Sequence, residues 1–284
     1  MPKVLSEDAI RRFREDGHHH PVRVLDDDQV RRFRTALEGF EARHPTETRK
    51  LKTKAHLLCP WVDEMIRIPR LLDVFEDLIG PDILCWSAAF RVKEADGATF
   101  AGWHQDTVYS PVRPNLTFAA LALSECGARQ GCLSVIPGSH RGEILPHAES
   151  SDPTSILARG QYITSDIDTT QAIDLEIKAG EIALFDHGII HGSRPNLGPD
   201  RRIMILIEMM PTSAYLVRGQ ESATLVRGRD AYGHFAGERR PTAEFGPEEI
   251  AAWHAAVGMR AKNIFADSKL PVSEAYGGGK ATAA

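Results

Sequence analysis

The sequence predicts a mainly β protein, a sandwich or barrel flanked by helices, and three observations predict it. Between Asp82 and Met210 the chain runs through short β-rich segments: ILCWSAAFRV, LTFAALALS, CLSVIP, AIDLEI, EIALF and IMILIEMM. Gly, Pro, Asn and Asp separate them, the punctuation of many short strands. The intervals are too short to hold the crossover helices that parallel strands need. Helical periodicity is confined to the two flanks.

Each flanking element has a local reason. Ser6 followed by Glu7 and Asp8 reads as a capped helix start. A second helix is expected over Asp27–Arg43, where Val30, Phe33, Leu37 and Phe40 recur at steps of three and four. A third starts at Pro69, a good first-turn residue, and stops at Gly80. Pro247 to Val257 reads as a surface helix. His18–His20 is expected as incidental surface in a helix-to-strand turn. The polar stretch 218–235 suits either a cap over a site or a surface arm. The expected organisation is one domain over 1–284. It comprises a helical flank at 1–81, a β core at 82–212, a C-terminal cap at 213–276 and a disordered tail at 277–284.

Composition excludes several classes of function. Apolar residues make up 42% and charged residues 26%, the usage of an ordinary globular protein. A net charge of −5 leaves no electrostatic footprint for a nucleic acid. Cys59, Cys85, Cys126 and Cys132 form no CxxC pair, so neither a disulfide scaffold nor a thiolate zinc site is expected. The run Ile203–Met210 is too short for a membrane span and is interrupted by Glu208. The N-terminal segment has no apolar stretch of a secretory signal. The expectation is a cytoplasmic protein with a small-molecule substrate and no nucleic-acid or membrane partner. Oligomeric state is not legible.

The chemistry concentrates in GWHQDTVYSP, residues 102–111. On an extended strand, His104 and Asp106 project to one face. An imidazole beside a carboxylate, joined by a remote histidine, is the ligand set of a facial triad. That set occupies one side of an octahedral metal and suits Fe(II). Two histidines, His187 and His191, compete for the remote place within GEIALFDHGIIHGSRPNLGPDRR. If NLGPD turns a hairpin centred between Asn196 and Leu197, His191 lies opposite Arg202 on the inward face. A guanidinium there would suit a dicarboxylate chelating the metal at its other end. Arg201 stays a rival to Arg202 under this assumed register. Gln105 faces away from His104 and reads as structural, and His140 as a loop brace.

These segments together (WHQD…Y.P, GCLSVIPGSH, and HGS.PN followed by Arg) resemble the phytanoyl-CoA dioxygenase family of Fe(II)/2-oxoglutarate oxygenases. The likeness runs from about Cys85 to Pro211. It implies a double-stranded β-helix core, a cupin-like jelly roll flanked by helices. It implies that His104, Asp106 and His191 bind iron, and that Ser193 and Arg202 hold the distal carboxylate of 2-oxoglutarate. Fe(II), 2-oxoglutarate and O2 are the implied cofactor and co-substrates. The implied reaction is hydroxylation of an unactivated C–H bond, with succinate and CO2 released. Related iron halogenases carry Ala or Gly in the place of Asp106, so the carboxylate here favours hydroxylation. Trp86 and Ser87 are expected to line the co-substrate pocket, and Phe90, Tyr109 and Arg194 the substrate pocket. A non-catalytic jelly-roll binding module is the alternative, against which Arg202 and Ser193 argue. A small polar or anionic metabolite is the expected substrate.

Overall fold

A computed structural model describes residues 2–108, 110 and 112–278. Tyr109 and residues 279–284 of the expected tail lie outside it. The helices are α1 (Glu7–Asp16), α2 (Asp27–Arg43), α3 (Pro60–Met65), α4 (Pro69–Ile79) and α5 (Pro247–Ile264). The strands begin with β1 (His18–Arg23), β2 (Ile83–Lys93), β3 (Ala101–His104), β4 (Val112–Arg113) and β5 (Thr117–Ala122). They continue with β6 (Leu133–Val135), β7 (His147–Ala148), β8 (Tyr162–Ile163), β9 (Ile173–Leu175) and β10 (Glu181–Asp186). The last are β11 (His191–Ser193), β12 (Arg202–Pro211), β13 (Tyr215–Leu216), β14 (Ser222–Arg227) and β15 (Ala236–Gly237). The fold is mainly antiparallel β with few helices, a jelly roll, in agreement with the sequence.

Two compact units make up the chain. The first comprises Met1–Arg31, Arg91–Val108 and Thr117–Leu206. Its strands form two sheets, in the orders β1-β10-β5-β12 and β3-β11-β6-β9. Pairing is antiparallel for β1–β10, β10–β5, β11–β3, β11–β6 and β6–β9. Phe118 of β5 lies opposite Phe185 of β10, with the rings edge to face at 5.1 Å. Such a pair is worth about 1 kcal/mol beyond its burial. Phe185 also packs on the ring of His191 in β11 at 5.2 Å, so the inner faces of the two sheets meet there. His18–His20 is not a surface turn. It opens β1 and pairs with Phe185 and Leu184, giving β10 a second neighbour.

The second unit comprises Arg32–Phe90, Tyr109–Leu116 and Ile207–Ala284. Here β14 pairs antiparallel with the start of β2, placing Thr224 opposite Cys85, and runs parallel to β15. Part of the polar stretch 218–235 is thus a buried sheet strand, since Ser222, Ala223 and Thr224 are all buried. Its polar side chains are satisfied locally. Ser222 and Thr224 donate to Glu238, which also accepts from Lys54 (2.7 Å) and contacts His56 (3.2 Å). The last helix is longer than the expected surface helix and half buried. It sinks Trp253, Ala256, Val257 and Arg260, and Trp253 donates through its indole N–H to the Thr53 carbonyl at 2.7 Å. Among the described residues no helix is long and apolar enough to cross a membrane.

Candidate metal centre

His104 ends β3, and His191 opens β11 directly opposite it. The ladder is irregular between His191 and Ser193. His191 also faces Val135 of β6, so it sits in the middle of the β3-β11-β6-β9 sheet. Both imidazoles are buried, with ring centroids 4.1 Å apart. Asp106 is not on the strand. The strand stops at His104, and Asp106 begins a one-turn 3-10 segment, Asp106–Val108. The turn still brings the carboxylate between the rings. Oδ1 lies 3.5 Å from His104 Nε2, and Oδ2 lies 3.7 Å from His191 Nε2.

The backbone selects which nitrogens face inward. His104 Nδ1 is 2.8 Å from the Gly102 carbonyl, and His191 Nδ1 is 3.0 Å from the Ile189 carbonyl. A carbonyl only accepts, so each Nδ1 carries the proton and each Nε2 presents a lone pair. Burial alone would raise the Asp106 carboxyl, but the His104 and His191 imidazoles hold it well below the usual carboxylate range. Burial and the neighbouring His104 push His191 down to about 4. At neutral pH the site therefore offers a neutral His191 imidazole beside an ionised Asp106 carboxylate, the form in which each can bind a metal. One donor atom from each residue lies within 4.8 Å of the others. Donors at right angles around one ion stand roughly 3 Å apart for bonds of about 2.1 Å, so small side-chain movements close the set around a cation.

Gln105 ties the centre together. Its backbone N–H donates to His147 Nε2 (3.0 Å), its side-chain amide donates to the Gly188 carbonyl (3.0 Å), and its Oε1 accepts from Leu145 N–H (2.9 Å). One residue thus connects the His104–Asp106 segment to the loop leading into His191. Gln105→Ala is expected to lower Fe(II) affinity by about 10- to 100-fold, the usual effect of losing a group that orients metal ligands. Anaerobic metal titration reads this directly, and an unchanged affinity would reduce Gln105 to a loop brace.

The remaining sequence candidates separate clearly. His187 is buried with its ring 5.3 Å from Phe118. The metal-capable group among the described residues contains His191 and not His187. The hairpin register that favoured Arg202 is wrong. β11 lies in the β3-β11-β6-β9 sheet and β12 in the sheet that holds β1, β10 and β5, so residues 194–201 cross between sheets and do not turn a hairpin. Arg202 is nonetheless buried, donating to the Gly131 (2.7 Å) and Arg91 (3.1 Å) carbonyls, whereas Arg201 pairs with the exposed Glu94. Ser193 is buried and its Oγ accepts from Lys93 Nζ at 2.7 Å. Arg194 is exposed and pairs with Asp174. It lines an outer cleft of about 570 Å³ with Phe100, Trp103 and Asp174. Trp86, Ser87 and Phe90 belong to the second unit. There the Arg260 guanidinium stacks on Trp86 at 3.8 Å, the Ser87 hydroxyl accepts from Lys54 N–H, and Phe90 packs on Trp61. His140 Nε2 lies 3.2 Å from the Arg14 carbonyl of α1.

Sequence reading missed Lys93. It closes an apolar strand, where a lysine ordinarily reaches solvent, and no spacing rule marks it. In the structure it is fully buried.

Fold and site together define a jelly roll bearing two histidines and one carboxylate that could hold a metal ion. The chain belongs to the phytanoyl-CoA dioxygenase (PhyH) family, whose profile matches residues 1–204. The "Probable alpha-ketoglutarate-dependent hypophosphite dioxygenase" of Stutzerimonas stutzeri is 26% identical over 186 residues, covering 63% of this chain and 64% of that protein. This chain thus spans just under two thirds of that relative. L-proline trans-4-hydroxylase of Streptomyces griseoviridis is 27% identical over 226 residues, covering 70% of this chain and 84% of that one. The solved apo structure of the non-heme monooxygenase ThoJ is 30% identical with a TM-score of 0.79. The match covers 90% of this chain and 97% of that one.

Proposed function

We propose that the protein is an Fe(II)- and 2-oxoglutarate-dependent dioxygenase that hydroxylates an unactivated C–H bond of a small metabolite. The observation that carries this is the convergence of His104 Nε2, His191 Nε2 and the Asp106 carboxylate, each imidazole fixed through its other nitrogen. These three residues would hold the ion, and a two-histidine, one-carboxylate set of this kind leaves coordination positions for co-substrate and oxygen. Bound ferrous iron would supply the oxygen activation and C–H cleavage, with R–H, O2 and 2-oxoglutarate becoming R–OH, succinate and CO2.

The chain's own residues do the rest. His104, Asp106 and His191 would hold the ion. Arg202 and Ser193 hold the far carboxylate of 2-oxoglutarate, a forked donor beside a hydroxyl. Phe185 against His191 keeps that side of the centre dry. Asp106 fills the ligand place whose vacancy would admit a halide, which favours hydroxylation. The four cysteines are free and buried, which fits a reducing compartment such as the cytoplasm. Relatives named for proline and hypophosphite support a small polar or anionic substrate.

The test is consumption of 2-oxoglutarate by the purified protein. Succinate formation is expected to require both Fe(II) and O2. Succinate release that persists without added iron and in the presence of a strong chelator would refute the reading.

A further inference from the structure

We infer that Lys93 is a positioning residue for the far carboxylate of the co-substrate, setting the Ser193 hydroxyl and supplying a second positive charge beside Arg202. The inference rests on the proposed use of 2-oxoglutarate.

Two cationic side chains lie buried together in the first unit. Lys93 Nζ donates to Ser193 Oγ (2.7 Å), to the Ser193 carbonyl (3.3 Å) and to the Arg194 carbonyl (2.5 Å). Arg202 donates to the Gly131 and Arg91 carbonyls, and its Nε has no partner. Every one of these acceptors is neutral. Burying two like charges without an anion works against the fold. The arrangement is therefore explained by an anion that arrives with a ligand, and the proposed co-substrate brings a carboxylate. The hydrogen bonding adds direction. Lys93 occupies a lone pair of Ser193 Oγ, which leaves the hydroxyl hydrogen to be donated outward. The same ammonium grips two successive carbonyls at the end of β11, the strand that opens with His191.

Burial, and then the charge of Arg202, push the Lys93 ammonium down to about 7. The groups facing it are Arg202 from β12 and the thiols of Cys126 and Cys132. Burial raises both thiols, so they stay neutral through this range. A carboxylate favours the charged lysine. Ligand affinity should therefore be highest below about pH 7 and decline above it.

The experiment compares wild type with Lys93→Met, Lys93→Arg, Ser193→Ala and the Lys93→Met/Ser193→Ala double variant, each loaded with Mn(II). The probe is N-oxalylglycine, read as a dissociation constant and as a melting shift relative to each variant's own ligand-free state. Lys93→Met is expected to weaken N-oxalylglycine about 30-fold. It should raise KM for 2-oxoglutarate alike, change kcat less than about threefold and leave Mn(II) affinity intact. The decline in affinity above pH 7 should vanish. Ser193→Ala should add little to Lys93→Met, because the two act through one contact. Lys93→Arg should rescue only partly, and it carries the comparison should Lys93→Met not fold. Wild-type affinity in either lysine variant, or full additivity with Ser193→Ala, would overturn the inference. Failure of the wild type itself to bind N-oxalylglycine would instead remove the co-substrate reading, and this inference with it.

Discussion

Alanine at His191 is expected to abolish turnover, by about 10³-fold or more, whereas alanine at His187 should leave metal stoichiometry unchanged. The contrast follows from where the two rings sit. His191 Nε2 is 3.7 Å from the Asp106 carboxylate and its Nδ1 is held by the Ile189 carbonyl. Removing it takes away one of three donors. An ion that contributes several kcal/mol of transition-state stabilisation is then held poorly or wrongly, and each 1.4 kcal/mol is a factor of ten. His104→Ala and Asp106→Ala should match this loss, because residues that act as one unit are not additive. Anaerobic Fe(II) titration and succinate release measure the two halves of the effect. Melting curves show whether the fold survives the buried cavity. Loss of metal in His187→Ala, with retention in His191→Ala, would reverse the ligand assignment.

Arg202→Met is expected to raise KM for 2-oxoglutarate by about 30- to 1,000-fold, which corresponds to roughly 2–4 kcal/mol for charge-assisted bonds to a carboxylate. Metal affinity should not change, since Arg202 touches none of the three ligands in the hydrogen bonds it makes. Stability should move little. The substitution frees two carbonyls but also removes one of two buried cations, so the terms oppose each other. Arg201→Met serves as the comparison. Its guanidinium pairs with Glu94 at the surface, and exposed pairs of this kind contribute about 0–1 kcal/mol. Its KM should stay within about threefold of wild type. A large KM effect in Arg201→Met, with none in Arg202→Met, would move the carboxylate anchor by one residue.

The elements with strong local signals were legible. α2 runs over Asp27–Arg43 as its apolar spacing requires, and α4 starts at Pro69 and is capped by Gly80. The six apolar runs all became strands. His104 and Asp106 were legible as neighbours, although for an incomplete reason. An extended strand would carry both on one face, but the carboxylate arrives on a 3-10 turn. Arg202 was chosen through a hairpin that does not exist. Its burial comes from β12 lying in a different sheet from β11, and spacing along the chain cannot report such a crossing. His18–His20 carried no strand signal, because an edge strand is defined by the partner that covers it.

The chain by itself determined which residue types could bind a ferrous ion and roughly where the strands begin and end, since capping, periodicity and turn chemistry act over a few residues. Only the tertiary structure decided that His191 and not His187 faces Asp106, that Gln105 braces both ligand segments, and that Lys93 is buried near Arg202. Those outcomes depend on sheet pairing and side-chain contacts between residues as many as a hundred positions apart, and on burial, which turns an ordinary strand-end lysine into a charge without a counter-ion.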